Sequence, residues 1–182
     1  IATNTALGYQ ALNANTTGNL NTSNGYQSLF YNTTGDYLTS VGYKSLYSNT
    51  TGDYNTAVGT YTLENNTTGW NNTAIGIQAL RSNTTAKENT AIGVNALYTT
   101  TTGIQNTAVG TNALQQKTTG SANTAIGHGA LNGSGTFDNV TALGFQAGLN
   151  NTASNNTLLG FQAGNAVQEE RVVAVGFQAG AV

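Results

Sequence analysis

The sequence predicts an all-β protein, a parallel β-roll or β-solenoid built from about eleven 16–17-residue coils. Three observations predict this fold: a glycine that recurs at a constant step, a short alternating segment before each of these glycines, and turn-forming residues between the segments. The motif glycines are Gly8, Gly25, Gly42, Gly59, Gly76, Gly93, Gly110, Gly127, Gly144, Gly160 and Gly176. The steps from Gly8 to Gly144 are all equal, and the last two steps are each shorter by a single residue. A short fixed period of this kind is typical of repeat architectures.

The residues before each motif glycine predict a short strand. Residues 73–75 read Thr-Ala-Ile, and nearly every copy has threonine, a small residue and an aliphatic residue in these places. Such β-branched, period-two alternation favours a strand. The closely spaced glycines exclude a helix of ordinary length. Our interpretation of the alternation is that the threonine and the aliphatic residue point into the core and that the small residue points outward.

The second half of each unit predicts two turns and a further core position. Leucine stands four residues after most motif glycines, and the turn sequence Asn-Thr-Thr-Gly follows, as at 15–18. We expect the glycine of this turn to supply a positive φ. Stacked in parallel, the coils would lie about 4.8 Å apart. A column of asparagines is expected to form a ladder at a coil corner: Asn4, Asn21, Asn55, Asn72, Asn89, Asn106 and Asn123.

The chain divides into two parts of one solenoid. Residues 1–138 form regular 17-residue coils, whereas residues 139–182 form variant coils that contain the sequence GFQAG at 144–148, 160–164 and 176–180.

Composition excludes several classes of function. The net charge is −2 and charged residues make up 7% of the chain, so we expect no nucleic-acid partner. The sequence has no run of about 18 apolar residues, so we expect no membrane insertion by this segment. There is no cysteine and a single histidine, His128, at a variable position, so we predict neither an enzyme nor a cofactor or metal site. Asp36 and Asp53 follow the turn in successive coils and are interpreted as solvated turn residues.

The repeated sequences NTAIG and NTAVG, for example at 72–76 and 55–59, resemble the signature of YadA-like head repeats. Such repeats occur in trimeric autotransporter adhesins and in related phage and virus tail fibres. The resemblance covers the whole chain, although this unit is longer than is typical of that family. It implies a left-handed β-roll, a homotrimer, and an extracellular, cell-surface or virion fibre that binds a host surface, a matrix protein or a glycan.

Two sets of residues are candidate sites. The first is a strip of small residues, which we expect to face outward and to form the trimer interface: Ala57, Ala74, Ala91, Ala108, Ala125 and Ala142. The second is an aromatic ladder, which we expect to bind a ligand or to cover coil edges or a subunit interface: Tyr9, Tyr26, Tyr43, Tyr37, Tyr54 and Trp70.

The function that these observations favour is a structural and adhesive one. The chain would be a rigid β-solenoid rod in a trimeric extracellular or virion fibre, with a lateral surface for binding a host surface, matrix or glycan. The alternative is an ice-binding solenoid that uses a regular threonine array. A glycan-depolymerising spike is disfavoured because it needs paired carboxylates, and Glu169 and Glu170 would alternate faces in an extended segment.

Overall fold

The computed structural model describes residues 3–116, 119–133 and 135–180, and it confirms the predicted β-solenoid. Each coil contributes one three-residue strand, and the eleven strands form a single parallel sheet in sequence order. The strands are β1 (Thr5–Leu7), β2 (Thr22–Asn24), β3 (Thr39–Val41), β4 (Thr56–Val58), β5 (Thr73–Ile75), β6 (Thr90–Ile92), β7 (Thr107–Val109), β8 (Thr124–Ile126), β9 (Thr141–Leu143), β10 (Thr157–Leu159) and β11 (Val173–Val175). Within the described ranges no helix is long and apolar enough to cross a membrane.

The register places equivalent residues on top of one another. In the pair β5–β6, Thr73 lies beside Thr90 and Ala74 beside Ala91. The same register continues through the shorter steps, where Thr141 lies beside Thr157. Ten steps of about 4.8 Å make a sheet about 48 Å long. Every position of the repeat therefore becomes a column of side chains along the rod.

The predicted phase of the strands is wrong. The middle residue of the strand points inward, and the alanines predicted to form an outward strip are buried within the single chain at 0% exposure: Ala57, Ala74, Ala91, Ala108, Ala125 and Ala142. The threonines before them and the aliphatic residues after them lie on the outer side, half-buried or exposed. These alanines therefore cannot contact a sister chain. A shift of one residue exchanges the two faces of a strand, because side chains alternate with a period of two.

The reason for this phase is the narrow interior of the coil. The leucines four residues after the motif glycine are fully buried from Leu29 to Leu131, and they pack in the same core as the strand alanines. Residue 158 shows the constraint. Leu158 replaces the alanine, and Gly148 and Gly164 replace the leucines in the coils around it. A Cβ atom built on Gly148 would lie 2.7 Å from Leu158 Cδ1. Leu158 therefore occupies the volume that the leucines vacate.

The core leucines sit in a segment that is not a strand. Leu80 and Leu97 have φ values of 50° and 52°, in the left-handed region that leucine rarely adopts. Their backbone amides bond the next coil, as in Leu80 N–H to Ala96 O at 3.0 Å. This bonding between coils, together with burial of the side chain, holds the strained conformation.

The two glycine positions of the repeat differ in backbone geometry and in how strictly they hold glycine. The motif glycines have φ values from 127° to 142°, in the region that favours glycine. The prediction of a positive φ for the glycine of the Asn-Thr-Thr-Gly turn is wrong, because Gly18 and Gly35 are not among the positive-φ residues. Close approach favours glycine there, since a Cβ atom on Gly35 would lie 2.7 Å from the carbonyl oxygen of Gly52. The coil at Ala86 accepts a methyl group in the same column.

The predicted asparagine ladder is confirmed at the corner before the strand. Asn72 Nδ2 donates to Ala86 O at 2.9 Å, and Asn72 Oδ1 accepts the backbone amide of Asn89 at 3.1 Å. Where the column has an apolar residue, the ladder still binds its backbone, as in Leu38 N–H to Asn21 Oδ1 at 2.9 Å. Each asparagine thus satisfies buried backbone groups of the next coil.

A second asparagine ladder runs through the Asn-Thr-Thr-Gly turns. Asn49 Nδ2 donates to Asn32 Oδ1 at 2.8 Å and to Gly52 O at 3.0 Å. The column changes to threonine at Thr100, and there Asn83 Oδ1 is buried without a hydrogen bond. The stack therefore has an uncompensated polar atom at the point where its repeat becomes irregular.

We predict that Leu158→Ala destabilises the solenoid by about 2–5 kcal/mol, because it removes a fully buried side chain and leaves a cavity. Gly164→Leu alone should also destabilise it, since the new side chain would collide with Leu158. The double variant recreates the regular alanine–leucine pair and should recover much of the loss. Denaturant unfolding of the four chains measures the coupling. Additive losses in the double variant would contradict the shared-volume explanation.

We predict that Asn72→Ala lowers the free energy of unfolding by about 1–3 kcal/mol. The substitution leaves the Ala86 carbonyl and the Asn89 amide buried without this hydrogen-bond partner. Asn65→Ala is the matched control because Asn65 is exposed. It should change stability by less than about 0.5 kcal/mol. Equal effects of the two substitutions in thermal unfolding would show that the ladder is not a special source of stability.

Candidate functional site

The candidate site is the outer side of the sheet, which we call the strand face. In each coil it consists of three side chains: the first and third strand residues and the residue after the motif glycine. The threonine column is Thr5, Thr22, Thr39, Thr56, Thr73, Thr90, Thr107, Thr124, Thr141 and Thr157, and Val173 completes it. The aliphatic column is Leu7, Val41, Val58, Ile75, Ile92, Val109, Ile126, Leu143, Leu159 and Val175, with Asn24 as its polar member.

The third column of the strand face changes along the rod. It consists of Tyr9, Tyr26, Tyr43, Thr60, Ile77, Val94, Thr111, His128, Phe145, Phe161 and Phe177. Rings of the first three coils stack, with centroids 5.2 Å apart for both tyrosine pairs. At the other end His128 stacks on Phe145 at 5.4 Å, and the two later phenylalanines continue the stack. His128 is therefore one ring in an aromatic column.

The strand face combines apolar surface with an absence of charge. No Lys, Arg, Asp or Glu stands at any of its positions. Ile75, Ile92 and Ile126 are each about two-fifths exposed, and Ile77 is about half exposed. Monomeric soluble proteins rarely expose a continuous apolar patch of more than a few hundred Å². Depletion of charge is also the compositional signal of an interface core.

The other predicted aromatic residues lie at the corner before the strand. Tyr37 and Tyr54 stack with centroids 4.8 Å apart and ring planes 7° apart. Trp70 is not part of this stack within the described ranges, because it stands one column earlier. The ammonium group of Lys87 lies 4.7 Å from the centre of the Trp70 ring, a cation–π contact between successive coils. The six predicted ladder residues therefore form three separate groups.

Asp36 and Asp53 stand in the same column as Trp70 and have a structural role. Asp36 Oδ1 accepts the backbone amide of Asn19 at 2.6 Å, and Asp53 Oδ1 accepts that of Asp36 at 2.8 Å. Each carboxylate thus binds the backbone of the preceding coil. In the part of the chain that the structure describes, no group of three or more His, Cys, Asp or Glu side chains could hold a metal ion.

A cluster that sequence reasoning missed lies beyond the third column, in the second half of coils 2 to 5. Tyr31 and Tyr47 meet edge to face with centroids 5.1 Å apart, and Lys44 lies 5.0 Å from the centre of the Tyr47 ring. A hydrogen bond with Tyr31, and then burial, raise the pKa of Tyr47. Tyr31 and Tyr47 occupy columns without a consensus residue, and Lys44 departs from the glutamine that is commonest in its column, so the consensus gave no signal for them.

The charged end of this cluster is an ion pair between coils. Arg81 Nε donates to Glu64 Oε2 at 2.6 Å, and the guanidinium carbon lies 4.8 Å from the centre of the Tyr61 ring. The hydrogen bond with Glu64 raises the pKa of Arg81, although burial opposes it. Tyr61 also bonds Tyr43, which raises the pKa of Tyr43. Both partners of the ion pair stand at the same position of the repeat, one coil above the other, so the spacing alone could have identified it.

Comparisons with protein-family models, with curated proteins and with solved structures returned no match for this chain.

Proposed function

We propose that this chain is a rigid β-solenoid segment of a homotrimeric extracellular or virion fibre, and that the strand face is where the three copies meet. The observation that carries this proposal is the continuous, uncharged and largely apolar strand face along the whole rod. The resemblance of its repeats to YadA-like head repeats supports the same class of protein. The strand face replaces the alanine strip as the proposed interface.

The size of the strand face suits an interface between copies. The strand face is about 48 Å long. Its width is five residues, which are separated by four steps of about 3.4 Å, or about 14 Å in all. The area is therefore roughly 670 Å². Specific interfaces bury about 800 Å² on each of two partners. Because each copy in a trimer has two neighbours, residues beside the strand face would also be buried in the assembly. A second copy also offers the same spacing of coils, so that aliphatic and aromatic columns can pack at equal heights.

Adhesion is assigned to surfaces that such an assembly leaves open. Tyr37, Tyr54 and Trp70 lie outside the strand face, and exposed aromatic side chains offer apolar contact together with a polar atom. They would bind a glycan or a matrix protein of the host surface. Three copies would repeat each contact around the fibre, and multivalency raises weak contacts to useful avidity.

Light scattering of the folded chain in dilute solution tests the assembly. We predict a molar mass of about three times 18.7 kDa. The double variant Ile75→Lys/Ile92→Lys should be monomeric, since it places charges on the strand face. Thr68→Lys/Thr85→Lys is the matched control, because both threonines are exposed on the turn instead. It should keep the mass of the parent chain.

A monomeric parent chain would refute the homotrimer. An assembly that survives the isoleucine substitutions would refute the strand face as its interface.

Ice binding is a second candidate, and the outward threonine column favours it. Thr56, Thr73 and Thr90 lie side by side on the outer side of the sheet, at the spacing of its strands. The column beside it is aliphatic, so the array has one threonine in each coil.

Thermal hysteresis at millimolar protein tests this candidate. Ice binding predicts a measurable hysteresis that Thr73→Lys/Thr90→Lys abolishes, because the charges interrupt the regular array. Thr68→Lys/Thr85→Lys should leave it intact. No hysteresis in the parent chain would reject ice binding.

A further inference from the structure

Two tyrosines from successive coils form an exposed parallel pair. Tyr37 and Tyr54 stand at the same position of neighbouring repeats, and their ring centroids are 4.8 Å apart with planes that differ by 7°. The two residues are 50% and 55% exposed. The backbone amide of Tyr54 bonds Asp36 O at 3.0 Å, next to Tyr37. The coil stack therefore fixes the two phenols side by side at the surface.

The composition directs oxidation toward such phenols. The chain has no cysteine and no methionine, the side chains that oxidants usually modify first. It contains nine tyrosines and one tryptophan. A one-electron oxidant that meets this protein therefore has phenols and one indole as its main targets.

We propose that Tyr37 and Tyr54 are a site of oxidative cross-linking, where a haem peroxidase and hydrogen peroxide join the two rings as dityrosine. Each phenol loses one electron and one proton to give a tyrosyl radical. The two radicals form a carbon–carbon bond between their ortho positions, and the ortho hydrogens move to the oxygens as the rings regain aromaticity. The protein loses two hydrogens in total, and hydrogen peroxide accepts them to give two molecules of water.

The arrangement distinguishes this pair from the other tyrosines. Tyr31–Tyr47 and Tyr43–Tyr61 meet edge to face, with ring planes 77° and 81° apart, and are not parallel pairs. The stacked Tyr9–Tyr26–Tyr43 column lies on the strand face. Tyr37 and Tyr54 stand at the corner outside that face, so the cross-link does not depend on whether copies of the chain assemble.

The experiment is peroxidase and hydrogen peroxide on the dilute folded chain, followed by trypsin and mass spectrometry. Trypsin cleaves after Lys44 and Arg81, which puts Tyr37 in peptide 1–44 and Tyr54 in peptide 45–81. We expect a linked peptide with the summed mass less two hydrogens, and fragmentation that assigns the bond to Tyr37 and Tyr54. The cross-linked protein should run at the mass of a single chain in a denaturing gel.

Variants and a denatured sample decide the outcome. Tyr54→Phe keeps a ring in the stack but removes the phenol, so it should abolish this link. Tyr98→Phe is the matched control, because Tyr98 contacts Arg81 and has no stacked tyrosine partner within the described ranges. It should retain the link. Thermal unfolding of Tyr54→Phe checks that the coil remains folded.

Three results would overturn the proposal: no bond between Tyr37 and Tyr54, the same yield of that bond from the denatured chain, or dityrosine only between molecules.

Discussion

The structure depends on the close approach of one coil to the next at the motif glycines. A Cβ atom on Gly8 would lie 2.5 Å from the carbonyl oxygen of Gly25, and the same contact recurs between successive motif glycines. These residues also need a φ that other residues rarely adopt. Since all coils turn at this point with the same geometry, the strands stack in register. The asparagine ladders, the buried leucines and the surface columns all follow from that register.

The repeat predicted the fold because a constant short step between motif glycines leaves few other solutions. It also predicted the corner asparagines and the columns of Tyr9, Tyr26 and Tyr43, since any position of a solenoid becomes a column. It did not fix which strand residues face inward. Alternation gives the period of a strand but not its phase, and both a threonine and an alanine can be buried.

Signals for the correct phase were present in the irregular coils. The column after the motif glycine holds residues as different as Tyr, Thr, Ile, His and Phe. A narrow interior cannot accept that range of volumes, so this column lies outside, and the aliphatic residue on the other side of the glycine lies outside with it. Leu158 stands at the middle strand position, where other coils have alanine, and the leucines that would contact it are replaced by Gly148 and Gly164. This compensation also indicates that the middle strand position faces inward. Predicting the ion pair of Glu64 and Arg81 requires the spacing between coils, which places the two residues in one column, and not the consensus sequence.

The alignment of the backbone hydrogen bonds has a mechanical consequence. Bonds such as Gly76 N–H to Val58 O run from coil to coil along the rod. Tension on the two ends therefore acts on the bonds between neighbouring coils, and a coil at the end can peel away while the others stay folded. A folded coil adds about 4.8 Å to the rod, whereas the same coil drawn out as an extended chain spans about 58 Å. Each coil that unfolds would thus lengthen about twelvefold and add about 53 Å, so the rod would yield to tension in steps, one coil at a time.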